Sequence, residues 1–215
     1  GIGESDLAVS DDALKALISD YTMEAGVRGL KNRLDTLCRA AAVKIVRGGH
    51  QTVSVEPADL RGMLETAPIR HDHILEVKNP GIVTGLAWTQ AGGEILFIET
   101  LFTRGSGKMT VTGQLGDVMK ESAMIAVSLV KSMFPDKESL FEENDLHIHV
   151  PAGAVPKDGP SAGITLTTAL ASLVTGRAVS PEFAMTGEVS LRGVVMPIGG
   201  LPEKLMAAQG AGVTQ

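Results

Sequence analysis

The sequence predicts an α/β (α+β) protein in two parts: a small helical bundle over residues 1–66, then a mixed α/β domain over residues 69–215. Two patterns carry that reading. In the first part apolar residues recur at spacings of three and four, the period of an amphipathic helix. From Ala67-Pro68 onward, β-branched runs and glycine turns take over and alternate with helix-length apolar stretches.

Ser10, followed by Asp11 and Asp12, offers an N-cap with acid at the positive helix end, ahead of Leu14, Leu17 and Ile18 as the apolar face. A longer helix carries Leu30, Leu34, Leu37, Ala41 and Ile45 on one stripe, with Lys31, Arg33, Arg39 and Lys44 off it, and Gly48-Gly49 as its stop. Thr52 to Val55 reads as a short strand, and Pro57-Ala58-Asp59-Leu60 opens a last small helix with proline in its first turn.

In the second part, Ile82 to Thr89, Gly92-Gly93 and Glu94 to Thr103 read as a hairpin. Lys108 to Thr112 is a further strand. Leu115 to Phe134 is a long helix with Val118, Ala123, Ile125, Ala126, Leu129, Val130 and Met133 apolar, stopped by Pro135. Leu146 to Val150 alternates as a half-buried strand. The Gly/Pro-rich loop Pro151 to Pro160 leads into a helix from Ser161 to Val174, Phe183 to Val195 forms a pair of strands around Gly187, and Glu203 to Gln209 forms a final helix with fraying expected at Gly210 and Gly212.

Composition narrows the function. With 215 residues, 44 % apolar and 20 % charged, the chain can bury a core in each part and is no disordered tail. Its 3 % aromatic content leaves aliphatic residues to fill those cores. No window approaches the roughly 18 consecutive apolar residues of a membrane span, so no membrane partner is expected. The net charge of −6, with one Trp and one Tyr, offers no basic or stacking surface for nucleic acid. A single cysteine, Cys38, fits a reducing compartment, read here as cytoplasmic. The start, Gly1-Ile2-Gly3, is no signal peptide and reads as a trimmed or recombinant fragment. A soluble intracellular enzyme or an assembly module remains.

The segment Val155-Pro156-Lys157-Asp158-Gly159-Pro160-Ser161-Ala162-Gly163 carries the most chemistry. Ser161 sits where a constrained loop becomes a helix. Gly159 and Gly163 let backbone approach a ligand, Pro160 limits motion, and first-turn N–H groups without intrahelical acceptors can hold an oxyanion. Two uses fit: a nucleophile, or a helix cap, the commoner use of serine at this place. Candidate bases are His50, His71, His73, His147 and His149, and Lys204. The pairs His71/His73 and His147/His149 each share one strand face, which also fits a metal, but no cysteine or spaced His-Glu helix accompanies them. Exposed strand positions explain both pairs, and no metal site is assigned. Lys204 lies in an apolar helix start flanked by Leu201, Leu205 and Met206, with Pro202 as first-turn residue. It is either a base made neutral by burial or a stem reaching out to water.

Together these segments resemble the proteolytic domain of the Lon family of ATP-dependent serine proteases. Pro156 to Gly163 is similar to the family's nucleophile motif, and Met185-Thr186-Gly187-Glu188 and Pro197-Ile198-Gly199-Gly200-Leu201 through Lys204 to its two downstream motifs. The likeness covers all of residues 69–215, with Ser161 and Lys204 at the family's dyad spacing. It implies Ser161 as nucleophile and Lys204 as general base, so that both commoner readings give way. It further implies that the Thr186 hydroxyl orients the lysine amine. Asp158 and Gly159 belong to a loop that switches between blocked and open forms, with a solvated Lys157–Asp158 charge pair as the bland alternative. Trp88 lies beside the substrate groove, the alternative being a core anchor.

Residues 1–66 resemble the helical subdomain ending the Lon AAA+ module. Glu24-Ala25-Gly26-Val27-Arg28-Gly29-Leu30 is similar to its sensor-2 segment, implying that Arg28 senses the γ-phosphate of ATP, with pairing to Glu24 as the alternative. No G-x-x-x-x-G-K-[ST] loop is present, so ATP and Mg2+ are expected only in the full-length protein and no cofactor in this segment. The chain ends eleven residues after Lys204, where the family continues. The resemblance implies a peptidase acting on unfolded or damaged proteins within a homohexameric ring. The rival is a non-catalytic Lon-like platform that assembles or binds without cutting.

Overall fold

The computed structural model of the protein describes residues 2–48, 52–76, 78–152 and 155–215. Two compact units result, Gly1–His71 and Asp72–Gln215. Gly49 of the expected helix stop and the candidate base His50 lie outside the described residues.

The first unit holds strand β1 (Leu7–Val9), helices α1 (Asp11–Tyr21) and α2 (Arg28–Gly48), strand β2 (Val53–Val55) and the short helix α3 (Leu60–Leu64). The Ser10 side chain accepts from Ala13 N–H, as a cap should. The buried face of α1 is Ala13, Leu17 and Tyr21, whereas Leu14 and Ile18 are exposed. An (i, i+4) stripe ending in an aromatic won over the neighbouring leucine and isoleucine, because Tyr21 supplies the larger buried surface. Leu37, Ala41 and Ile45 of α2 are buried as their spacing predicts. β1 runs parallel to β2 and has no sequence signal, since three residues carry too little periodicity.

The second unit is built on a mixed five-stranded sheet in the order β5-β6-β4-β3-β7. The strands are β3 (Ile82–Thr89), β4 (Gly92–Arg104), β5 (Met109–Thr112), β6 (Asn144–His149) and β7 (Ala184–Met185). β3 pairs antiparallel with β4 and β4 with β6, while β5–β6 and β3–β7 are parallel. Because side chains alternate across a strand, the facing pair Val83/Ile98 enters one core with α4 (Asp117–Met133) and α6 (Gly163–Thr175), and the pair Leu86/Ile95 enters another with α7 (Leu201–Gly210).

Several boundaries differ from expectation. Val118 and Met133 of α4 point to solvent, and Met119 and Ser122 take buried positions on its core face. α5 (Glu138–Glu143) is a single six-residue helix after Pro135, too short and too charged to show a period. The Ser161 segment opens as a 3₁₀ turn over Pro160–Ala162 before α6 begins. The strands around Gly187 shrink to β7, β8 (Glu188–Val189) and β9 (Val195–Met196). The expected fraying at the end does not occur: Val213 N–H donates to Ala208 O, Thr214 N–H to Glu182 O and Ile74 N–H to Ala211 O.

Candidate active site

Ser161 and Lys204 begin helices that pack on opposite faces of the sheet, and they meet at its edge, where the chain leaves β7. Lys204 Nζ lies 3.2 Å from Ser161 Oγ and donates to Thr186 Oγ1 at 3.0 Å. Thr186 Oγ1 in turn donates to Ser161 O at 3.4 Å. Ser161 caps nothing: neither the 3₁₀ turn nor α6 takes a side-chain cap. Its segment is held instead by the link between β7 and β8, Gly187 N–H donating to Ser161 O at 2.8 Å and Ile164 N–H to Gly187 O at 3.0 Å.

Lys204 is only 2 % exposed, and burial alone pushes its amine below the ordinary lysine range. The sequence neighbours do not supply that burial. Leu201, Leu205 and Met206 are all exposed; Leu205 and Met206 follow Lys204 by one and two residues and so turn about 100° and 200° away from its face, and Leu201 stands at the exposed first position of α7. The shelter comes from the end of the β3–β4 hairpin. A Cβ on Gly93 would stand 2.0 Å from Glu203 O, so α7 lies directly on the hairpin backbone where Gly93 faces Trp88. Gly200, at φ +69, is pressed against the Trp88 ring. Trp88 is 55 % exposed, which makes it a seat for the α7 start and a groove wall rather than a core anchor.

A cleft of about 1080 Å³ contains Ser161 and Lys204 and is lined also by Trp88, Asp158, Gly159 and Lys157. Lys157 and Asp158 do not pair. Lys157 Nζ donates to the carbonyls of Gly113, Ala152 and Val155, and burial lowers its pKa. Asp158 Oδ1 accepts from Met119 N–H at the start of α4 and from Gly159 N–H, both at 2.9 Å. Gly116, the residue preceding α4, leaves the room that carboxylate occupies. Asp158 therefore caps a helix distant in sequence. Gly159, at φ +119, takes a backbone that only glycine adopts without strain.

The described histidines serve elsewhere. His147 Nε2 and His149 Nδ1 both lie within 2.8 Å of Thr112 Oγ1 and are half-buried, not free strand positions. His71 Nε2 is bonded to Ser19 O, and His71 and His73 lie outside any strand, so they share no strand face. No group of three or more metal-ligating side chains occurs among the described residues.

In the first unit, Arg28 opens α2 and is exposed. Glu24 does not pair with it; its carboxylate accepts from Gly29 and Leu30 N–H at 2.7 and 2.9 Å, and those bonds lower its pKa. Two features behind the centre carry no sequence signal: Thr165, and the close contact of Gly93 with α7. A glycine second in a strand, next to another glycine, gives no signal of what it makes room for.

Comparison with known families decides what this arrangement belongs to. The family model of the Lon protease (S16) C-terminal proteolytic domain matches residues 54–215, and that of the Lon protease AAA+ ATPase lid domain matches residues 1–53. The chain belongs to the Lon protease family. Similar Lon proteases include those of Clostridium beijerinckii, 55 % identical over all of this chain and 27 % of that protein, and Methanosarcina barkeri, 53 % identical over 99 % of this chain and 27 % of that protein. A Lon protease from Methanosphaera stadtmanae is 50 % identical over 99 % of the chain. The chain spans about a quarter of the length of these Lon relatives. Among the described residues no helix is long and apolar enough to cross a membrane.

Proposed function

We propose that residues 69–215 form a serine endopeptidase domain working through a Ser161–Lys204 dyad, with residues 1–66 as the helical part of its ATPase module. The observation that carries this reading is a buried lysine, its pKa lowered by burial, 3.2 Å from a serine hydroxyl that no helix uses as a cap. The neutral amine accepts the Ser161 proton while donating one N–H to Thr186, whose own proton goes to Ser161 O. That pattern leaves the amine lone pair facing the nucleophile. The alkoxide attacks a peptide carbonyl, the opening-turn N–H groups at Ser161 and Ala162 stabilise the oxyanion, and Lys204 returns the proton to the leaving amine. Water then hydrolyses the acyl-enzyme. Asp158 and Gly159 shape the loop ahead of Ser161, and Trp88 borders the substrate groove.

Family membership supports the rest of the reading: unfolded or damaged proteins as substrates, a homohexameric ring in the cytoplasm, and ATP with Mg2+ bound outside this segment. An exposed arginine at a helix start, not engaged by Glu24, suits a contact to nucleotide phosphate, the role assigned to Arg28.

The test uses a short fluorogenic peptide and the intact protein. Ser161→Ala and Lys204→Met are each expected to bring cleavage to background with an unchanged circular-dichroism spectrum. Cleavage surviving Ser161→Ala refutes the nucleophile, and cleavage surviving Lys204→Met moves the base elsewhere. Silence of the assembled wild-type protein toward every peptide supports the non-catalytic platform.

A further inference from the structure

Thr165 sits one helical turn beyond Ser161 on α6 and is fully buried, yet it brings a hydroxyl into the interior. Buried hydroxyls need a partner, and Thr165 Oγ1 donates to Met185 O at 3.1 Å, the carbonyl just before Thr186. On the other side of Thr186, Gly187 is bonded through its N–H to Ser161 O and through its carbonyl to Ile164 N–H. The segment carrying Thr186 is thus pinned to the nucleophile's helix on both flanks, by backbone on one side and by a single side chain on the other. β7 is a two-residue edge strand, so few ladder bonds hold Met185 in place. The facing strand leaves space for the side-chain anchor: a Cβ on Gly85 would lie 3.0 Å from Thr165 Oγ1 and 3.1 Å from its methyl.

We propose that Thr165 is a positioning residue of the peptidase centre, holding the Met185 carbonyl so that the Thr186 hydroxyl meets Lys204 Nζ and turns the amine lone pair toward Ser161. The proposal rests on the Ser161–Lys204 reading and extends it to a residue that touches none of the reacting atoms. It predicts an effect on turnover and little on substrate binding, because Thr165 lies behind the centre and not in the cleft lining.

The experiment compares Thr165→Val, Thr165→Ala and Thr165→Ser in the intact protein, with a short fluorogenic peptide and thermal unfolding as control. Val and Ala, which lack the hydroxyl, are expected to lower kcat about tenfold with KM held within about twofold. Ser, which keeps the hydroxyl and drops the methyl, is expected to stay near wild-type kcat despite a lower Tm. If the Val variant does not fold, the Ala and Ser pair decides. Wild-type kcat in folded Val or Ala overturns the proposal, as does a Ser variant that loses as much as Ala, which assigns the effect to packing. Ser161→Ala is assayed alongside. Activity retained there removes the underlying dyad reading, whereas an inactive Ser161→Ala beside fully active hydroxyl-less Thr165 variants removes only the role of Thr165.

Discussion

At the scale of single residues, the roles proposed for Ser161 and Lys204 are not the ones that local pattern favours. A serine at a helix start and a lysine in a first turn are ordinary caps and solvated charges, and on local pattern alone those uses lead. Ser161 Oγ is engaged not by a helix end but by an amine 43 positions away, as the nucleophile role proposed for it requires. Burial lowers the Lys204 pKa from 10.5, so its neutral fraction grows as pH rises through that lowered value. We expect kcat for a small peptide to climb with pH and level off below 10.5; a flat profile across that window sinks Lys204 as the base. The stability effect follows the same shift. The folded protein binds the Lys204 proton more weakly than the unfolded chain, so the penalty is fully present below the folded pKa and is relieved as pH rises toward 10.5. Lys204→Met is therefore expected to be inactive yet more stable near neutral pH by about 1 kcal/mol, or ~2–4 °C in Tm, with the gain shrinking at alkaline pH.

At the scale of elements, the centre depends on α7 resting against the end of the β3–β4 hairpin. The sequence marks Gly92-Gly93 as the turn, but the turn falls at Gln90-Ala91 and both glycines belong to β4, where the second has a further duty. Facing it across the ladder is Trp88, and over it passes the backbone of Glu203. A methyl at position 93 meets a carbonyl that belongs to a helix and cannot swing aside. Gly93→Ala is expected to displace the start of α7, lowering stability by about 1–3 kcal/mol and peptide cleavage at least tenfold. Unchanged cleavage in that variant means that Lys204 does not depend on the hairpin seat. The short elements β1 and α5 carry no sequence signal for a plain reason: three to six residues complete fewer than two periods, and neighbours elsewhere in the chain stabilise them.

At the scale of the molecule, each unit encloses its own core, the first around Leu17, Leu37 and Leu60, the second around Ile98, Ile148, Leu166 and Leu170. All the residues assigned to peptide cleavage fall within Asp72–Gln215. Residues 72–215 produced alone are expected to unfold in one cooperative thermal transition and to react at Ser161 with a serine-directed covalent probe. Loss of the transition on separation would show that the second core needs the first.

The order of the longer helices and strands and the change of character near Ala67-Pro68 were legible in the sequence, and Ser161, Lys204 and Thr186, singled out there by resemblance to a family, lie within hydrogen-bond reach of one another. Periodicity is a local property, and motif residues keep their order and spacing whatever the fold does. The tertiary structure alone decided which lysine face is dry, that Asp158 caps α4, that Lys157 ties down carbonyls, and that Thr165 braces the strand beside Thr186. Each of these depends on a distance between segments far apart in sequence, and burial and hydrogen-bond partnership exist only once those segments have packed.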